Sequence, residues 1–114
     1  MRLFKKLVLA AAALASVPAF AGSTDAGYAS NVNVQNNGVV LFDHSGTHYG
    51  IPSCQSNTTV NRWAFNTTTP TGQAMLSLLL SAYSLHKQVL IGGTHACSDQ
   101  GDIETVGFVR IVDS

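Results

Sequence analysis

Charge is what this sequence has least of. Six Lys and Arg and six Asp and Glu make up 11% of its 114 residues, less than half the share of an ordinary globular chain. Once the basic residues of its first six positions are set aside, acids outnumber bases, which argues against nucleic acid and anionic membrane surfaces as partners. Cysteine is nearly as scarce, with Cys54 and Cys97 alone. Neither belongs to a C-x-x-C pair, which argues against a metal-binding or redox thiol pair. Internal repeats, low-complexity tracts and linkers are also missing, which leaves one domain rather than an array.

What the chain does have begins with a leader. Arg2, Lys5 and Lys6 form a positive start, Leu7 to Leu14 an apolar run, and Ala19-Phe20-Ala21 a small-x-small cleavage site. That is the layout of a secretory signal peptide over residues 1–21. The apolar run is short of the about 20 residues a membrane span needs, so no span is expected after cleavage. Residues 22–114 then form the single mature domain, secreted or periplasmic. It keeps Arg62, Lys87 and Arg110 against Asp25, Asp43, Asp99, Asp102, Glu104 and Asp113, three against six, a formal net charge of −3. In an oxidising compartment Cys54 and Cys97 are expected to form one disulfide. Closing a loop of about 40 residues is worth about 4 kcal/mol in the loop-entropy model.

Along the mature chain, GYASNVNVQNNGVVLF alternates Tyr28, Val32 and Val34 with Asn31 and Asn33, then turns at Asn37-Gly38 into Val39 to Phe42. Asn-Gly between β-branched runs predicts a hairpin, because both residues tolerate positive φ. Residues 43–59 read as a long loop punctuated by Gly46, Gly50 and Pro52 and pinned by Cys54. A third strand, VNRWAFN, places Asn61, Trp63 and Phe65 on one face, with Trp63 a core residue. Thr69-Pro70 starts a helix, Thr as cap and Pro at the first helical position, and the helix runs to His86-Lys87. QVLIGG gives a fourth strand and TVGFVRIV a fifth, with Val106, Phe108 and Val112 on one side. The order β-β-β-α-β-β predicts a mostly β domain with one helix, laid out as a five-stranded OB-like barrel. A helix on one face of an open sheet is the competing layout.

The helix carries no charge at all. Its apolar side chains, from Met75 through Leu78, Leu79, Ala82 and Leu85, sweep an arc of roughly 220°, about twice the stripe of an ordinary surface helix. Ser77, Ser81 and Ser84 fill the remainder. Five short strands cover about half of such a helix, so the rest predicts an interface, and the economical partner is a second copy of the chain. The competing account folds the 43–59 loop over the helix and leaves the protein monomeric.

The run RWAFNTTTPTGQAMLSLLLSAYSLHKQVLIGG resembles the same region in the binding (B) subunits of bacterial AB5 toxins, nearest the subtilase-cytotoxin and pertussis-like type. The likeness spans roughly residues 60–112 and rests on element order and helix character. It implies an OB-fold, a homopentameric ring whose helices line a central pore, surface pockets for host carbohydrate, and a separate enzymatic A subunit. No sugar-contact residue of that family maps onto a position here, so none is carried over.

Few groups are arranged for chemistry. Asp43, His44, His48 and Tyr49 gather in DHSGTHYG, but Gly46 and Gly50 predict a loop, where His at four-residue spacing means little; the histidines read as solvated, with no metal site. Asp99, Asp102 and Glu104 read as an acidic turn, since their spacing does not match a calcium loop. No Ser elbow or free thiol is present, and the chain reads as neither an enzyme nor a cofactor carrier. The first hypothesis is therefore a secreted, ring-forming binding subunit that recognises a carbohydrate or other cell-surface ligand. His48 and Tyr49 are its candidate contacts, and Ser77, Ser81 and Ser84 its oligomer contacts. The second is a monomeric periplasmic interaction or inhibitor protein that uses the apolar helix face against a protein partner.

Overall fold

The computed structural model describes residues 21–113, so the expected signal peptide lies, apart from Ala21, outside the described residues. The strands are β1 (Ser23–Thr24), β2 (Ala29–Val34), β3 (Val39–His44), β4 (His48–Tyr49), β5 (Arg62–Asn66), β6 (Val89–Gly93) and β7 (Val106–Ile111). One α-helix, α1 (Pro70–Ser84), lies between β5 and β6, and a 3-10 turn at Asn57–Thr59 precedes β5. The protein is thus mostly β with one helix, and Cys54 and Cys97 are disulfide-bonded. Among the described residues no helix is long and apolar enough to cross a membrane.

The closed five-stranded barrel is not what forms. The strands make two antiparallel sheets, β4-β1-β6-β7 and β2-β3-β5. Between them run only single bridges, Gly27 to Val89 and, in parallel, Ala64 to Thr105. The expected 43–59 loop contains β4, which pairs with β1 through Ser23–Tyr49 and Thr24–His48. Strands of two residues are too short to show an alternation, and both were invisible for that reason.

The front hairpin forms where expected, but Gly38 alone takes a positive φ, +86°. Gly38 N–H donates to the Gln35 carbonyl at 3.0 Å and Gln35 N–H to the Val39 carbonyl at 2.8 Å. The loop is therefore a turn over Asn36-Asn37 closed by a left-handed glycine, the three-residue hairpin connection. The Asn37 side chain accepts from Val39 N–H at 3.1 Å.

Two register shifts re-aim the strands. On β2 the pairing steps from Ser30–Asp43 to Asn33–Leu41, so one extra residue is accommodated on β2, and Asn31 takes φ +49°. The inward residues of β2 are then Ala29 and Val32, while Tyr28 and Val34 are exposed. On β7 the pairing steps from Gly93–Val106 to Gly92–Phe108. Val106, Val109 and Ile111 therefore face the core and Phe108 faces out, a bulge overriding the expected alternation.

The core joins Val40, Phe42, Trp63, Phe65, Val89 and Ile91 from the strands to Leu79 and Ala82 from α1. Full burial of Leu79 alone contributes about 2 kcal/mol. A smaller cluster of Val39, Leu41, Ala64 and Ile103 covers the other side of β3 and β5. The helix starts as expected, with the Thr69 hydroxyl accepting from Gly72 N–H at 3.1 Å and Pro70 at its first position. It stops at Leu85 because His86 turns left-handed, φ +52°. His86 N–H then reaches the Tyr83 carbonyl at 3.3 Å and Lys87 N–H the Ala82 carbonyl at 2.8 Å, the pair of bonds that closes a helix end of the Schellman kind.

Candidate functional site

Two clefts open beside β2. The first, about 600 Å³, is lined by Ser30, Asn31, Asp43, His44, Ser45, Thr58, Val60, Asn61 and Arg62. The second, about 500 Å³, lies between the start of β2 and the end of α1 and is lined by Tyr28, Ala29, Ser30, Ala82, Tyr83, Ser84, His86 and Lys87. Ser30 lines both.

The β2 bulge builds the first cleft. The left-handed backbone at Asn31, tolerable for a short amide side chain, lets Nδ2 donate to Asp43 Oδ2 at 2.7 Å. Directly across the β3–β5 ladder from Asp43 stands Arg62, whose Nε lies 3.0 Å from Oδ1. One carboxylate oxygen is thus hydrogen-bonded and the other lies beside the Arg62 guanidinium, whose Nε makes no hydrogen bond, while the carboxylate stays partly exposed. Such an exposed pair adds about 0–1 kcal/mol to stability; its effect is to fix where the carboxylate points.

An aromatic stack shapes the second cleft. The Tyr28 and His86 rings lie parallel, 4.3 Å between centroids and 8° between planes. His86, whose left-handed backbone ends the helix, thus packs its ring on the residue that precedes β2. Tyr83 is exposed and lines the cleft beside Ser84 and Lys87.

The residues singled out from sequence scatter over the molecule. His48 and Tyr49 are neighbours on a strand and point opposite ways. His48 turns inward, where Nδ1 donates to the Val60 carbonyl at 2.7 Å and Nε2 meets Glu104 Oε1 at 2.7 Å; its ring lies against Trp63. Tyr49 turns outward, its hydroxyl donating to Asp25 Oδ2 at 2.9 Å. That bond, with the negative charge behind it, raises the Tyr49 hydroxyl above its ordinary value of 10.0. Ser77, Ser81 and Ser84 all lie on the exposed side of α1, and Ser84 borders the second cleft.

The expectation of solvated histidines in the 43–59 segment is overturned. His44 and His48 are both buried, because β3 runs on to His44 and β4 carries His48 inward. His44 Nδ1 accepts from Gly46 N–H at 3.2 Å, so Nε2 carries the proton and donates to the Val89 carbonyl at 2.9 Å. Burial lowers the His44 pKa below 6.5, against the opposing pull of its backbone contacts. The acidic-turn reading fails for Glu104, which is 0% exposed. Its Oε2 accepts from Gly22 N–H at 3.0 Å and His95 N–H at 2.9 Å. Among the described residues no group of three or more His, Cys, Asp or Glu is placed to hold a metal. The buried Trp63 Nε1 has no acceptor, and nothing in the structure explains it.

Compared with protein-family models, with curated proteins and with solved structures, the chain matches none of them.

Proposed function

We propose that this chain is a secreted, non-enzymatic binding subunit that recognises a carbohydrate through the two clefts meeting at Ser30 and assembles as a ring. The observation that carries this reading is the placement of polar and aromatic groups in two clefts that share Ser30. Asp43, held by Asn31 and Arg62, offers a fixed acceptor, and Ser30, Ser45 and Thr58 offer hydroxyls. Tyr83 and the Tyr28–His86 stack lie in the adjoining cleft. Sugars are bound by that combination, hydroxyl groups by carboxylates, amides and hydroxyls, and C–H faces by aromatic rings.

The likeness of residues 60–112 to AB5 toxin B subunits supports the same reading. So do the single bridges, Gly27 to Val89 and Ala64 to Thr105, which link the two sheets without a continuous ladder, as a partly open barrel would be linked. For the ring, the support is the outer face of α1, where Leu80 is exposed next to Ser77 and Ser81. A second reading, a monomeric periplasmic protein that docks another protein, draws on the same exposed face and on Leu85.

The test is a glycan array probed with the mature chain, alongside its absolute mass by light scattering over a dilution series. Specific glycan signals that Asp43→Ala and Tyr83→Ala each weaken at least about tenfold, at unchanged melting temperature, support the proposal. A monomer at every dilution with no glycan signal would replace it by the second reading.

A further inference from the structure

The buried carboxylate of Glu104 has one side-chain partner, His48, and a second partner that export would change chemically. Gly22 N lies 3.0 Å from Oε2, and Gly22 is the residue that follows the Ala19-Phe20-Ala21 cleavage site. Here the chain passes from exposed Ala21 to buried Gly22. The Gly22 carbonyl accepts from Gly93 N–H at 2.7 Å, which fixes the residue at the end of the β1–β6 pairing with its nitrogen turned to the acid. A Cβ at Gly22 or at Gly93 would collide with the Glu104 carboxylate, so the acid fits only because both positions are glycine.

We propose that the α-ammonium created at Gly22 by signal-peptide removal is a structural counter-ion of Glu104, so that processing completes the buried charge cluster. The inference rests on the reading of residues 1–21 as a cleaved signal. Hydrolysis by a signal peptidase adds one water across the Ala21–Gly22 bond. The hydroxyl goes to the Ala21 carbonyl carbon and a hydrogen to the Gly22 nitrogen, which takes a further proton from solvent at neutral pH. One neutral amide donor thereby becomes a cation with three donors, at the same place, beside a carboxyl group that is 0% exposed.

The geometry is suited to that exchange. Oε1 is occupied by His48 Nε2, whose other nitrogen is committed to the Val60 carbonyl. Oε2 receives only main-chain donors, Gly22 and His95. Around the acid, Gln55 Oε1 accepts from Glu104 N–H at 2.6 Å and the Gln55 amide is tied to Thr59. The carboxylate is therefore immobile before the ammonium arrives, and a charge-assisted bond forms without reordering. Because the Ala21–Gly22 peptide itself fits, with Ala21 exposed, a retained residue at this end is not sterically excluded. A difference between the two forms reports the charge.

The experiment starts from the mass and N-terminal sequence of the exported chain, expected to begin at Gly22; any other start overturns both the cleavage assignment and the inference. On the chain that begins at Gly22, acylation of the α-amine near neutral pH is compared between the folded protein and its folded Glu104→Gln variant, in which the burial of Gly22 is the same. Protection of at least about tenfold, one pKa unit of extra protonation, is expected. Equal reactivity would overturn the inference while leaving the signal-peptide reading intact. A chain retaining Ala21 should melt lower by roughly 4–8 °C, and the difference should vanish in a Glu104→Gln background. If Glu104→Gln does not fold, the titration of 15N-labelled Gly22 decides in its place: a midpoint raised above the usual 7.7–8.0 supports the counter-ion role, and an ordinary one removes it.

Discussion

His44 and Val89 are bonded from one sheet to the other: the imidazole Nε2 at the end of β3 donates to the Val89 carbonyl on β6 across 2.9 Å. The other ring nitrogen, Nδ1, accepts from Gly46 N–H and can do so only in a neutral ring, so a residue that links the sheets is also one that acid would charge.

Acid should accordingly loosen the protein at this seam. Burial lowers the His44 pKa from 6.5, so below 6.5 the unfolded chain takes up a proton more readily than the folded one. His44 thus costs the fold nothing above the unfolded value, and stability falls as pH drops through it towards the folded value. The slope contributed by one such group reaches at most about 1.4 kcal/mol per pH unit. Melting curves from pH 8 to pH 5 should show this fall, and His44→Gln, which keeps an N–H donor without a titrating ring, should flatten it. Identical slopes in the two proteins would place the acid sensitivity elsewhere.

Reduction should cost more than any surface change. The bridge between Cys54 and Cys97 closes a 43-residue separation and ties the segment before β5 to the loop before β7. In the loop-entropy model that constraint is worth about 4 kcal/mol. For a domain of this size the melting temperature should drop by at least about 10 °C with reductant. No change in calorimetry would show the bridge to be energetically idle.

Tyr49 offers a spectroscopic reading of the outer surface near β1. Its hydroxyl is held above 10.0 by the hydrogen bond to Asp25 and the charge of that carboxylate. Ultraviolet titration should resolve one tyrosine ionising above 10.0, and Asp25→Asn should bring it back towards that value. Persistence of the late ionisation in the variant would rule out Asp25 as its cause.

Ser81→Arg tests the helix face. Ser81 is exposed in a single copy of the chain, so the substitution should leave the unfolding free energy of a monomer within about 0.5 kcal/mol of the parent. In a ring packed through this stripe it should dissociate the assembly, read by light scattering. An oligomer of unchanged mass would put the stripe outside the contact.

Much of the fold was legible because it is local. The hairpin turn, the Thr69-Pro70 helix start, the five longer strands and the pairing of the only two cysteines each follow from residues close together or from elimination. The rest depends on partners far apart in the chain. His48 and Glu104 are 56 residues apart, and nothing next to either one marks it for burial. Asn31 looks like any polar residue in an alternating strand until the ladder opposite it is counted. The inward turn of His48 followed from β4, which is too short to announce itself. As for the clefts, Asp43 was noticed for its neighbours in sequence, whereas its fixed direction comes from Asn31 and Arg62 on two other strands.

The bulge at Asn31 makes the first cleft a matter of counting. One residue more than a regular ladder needs separates Ser30 from Asn33, and that surplus carries the amide to Asp43. Removing a single residue there would let β2 pair evenly while Ala29 and Val32 still faced inward, now at the two-residue spacing of an ordinary strand. The core would keep its partners and the cleft would lose its shape. Insertion and deletion at one position can therefore reshape this cleft while leaving the architecture beneath it in place.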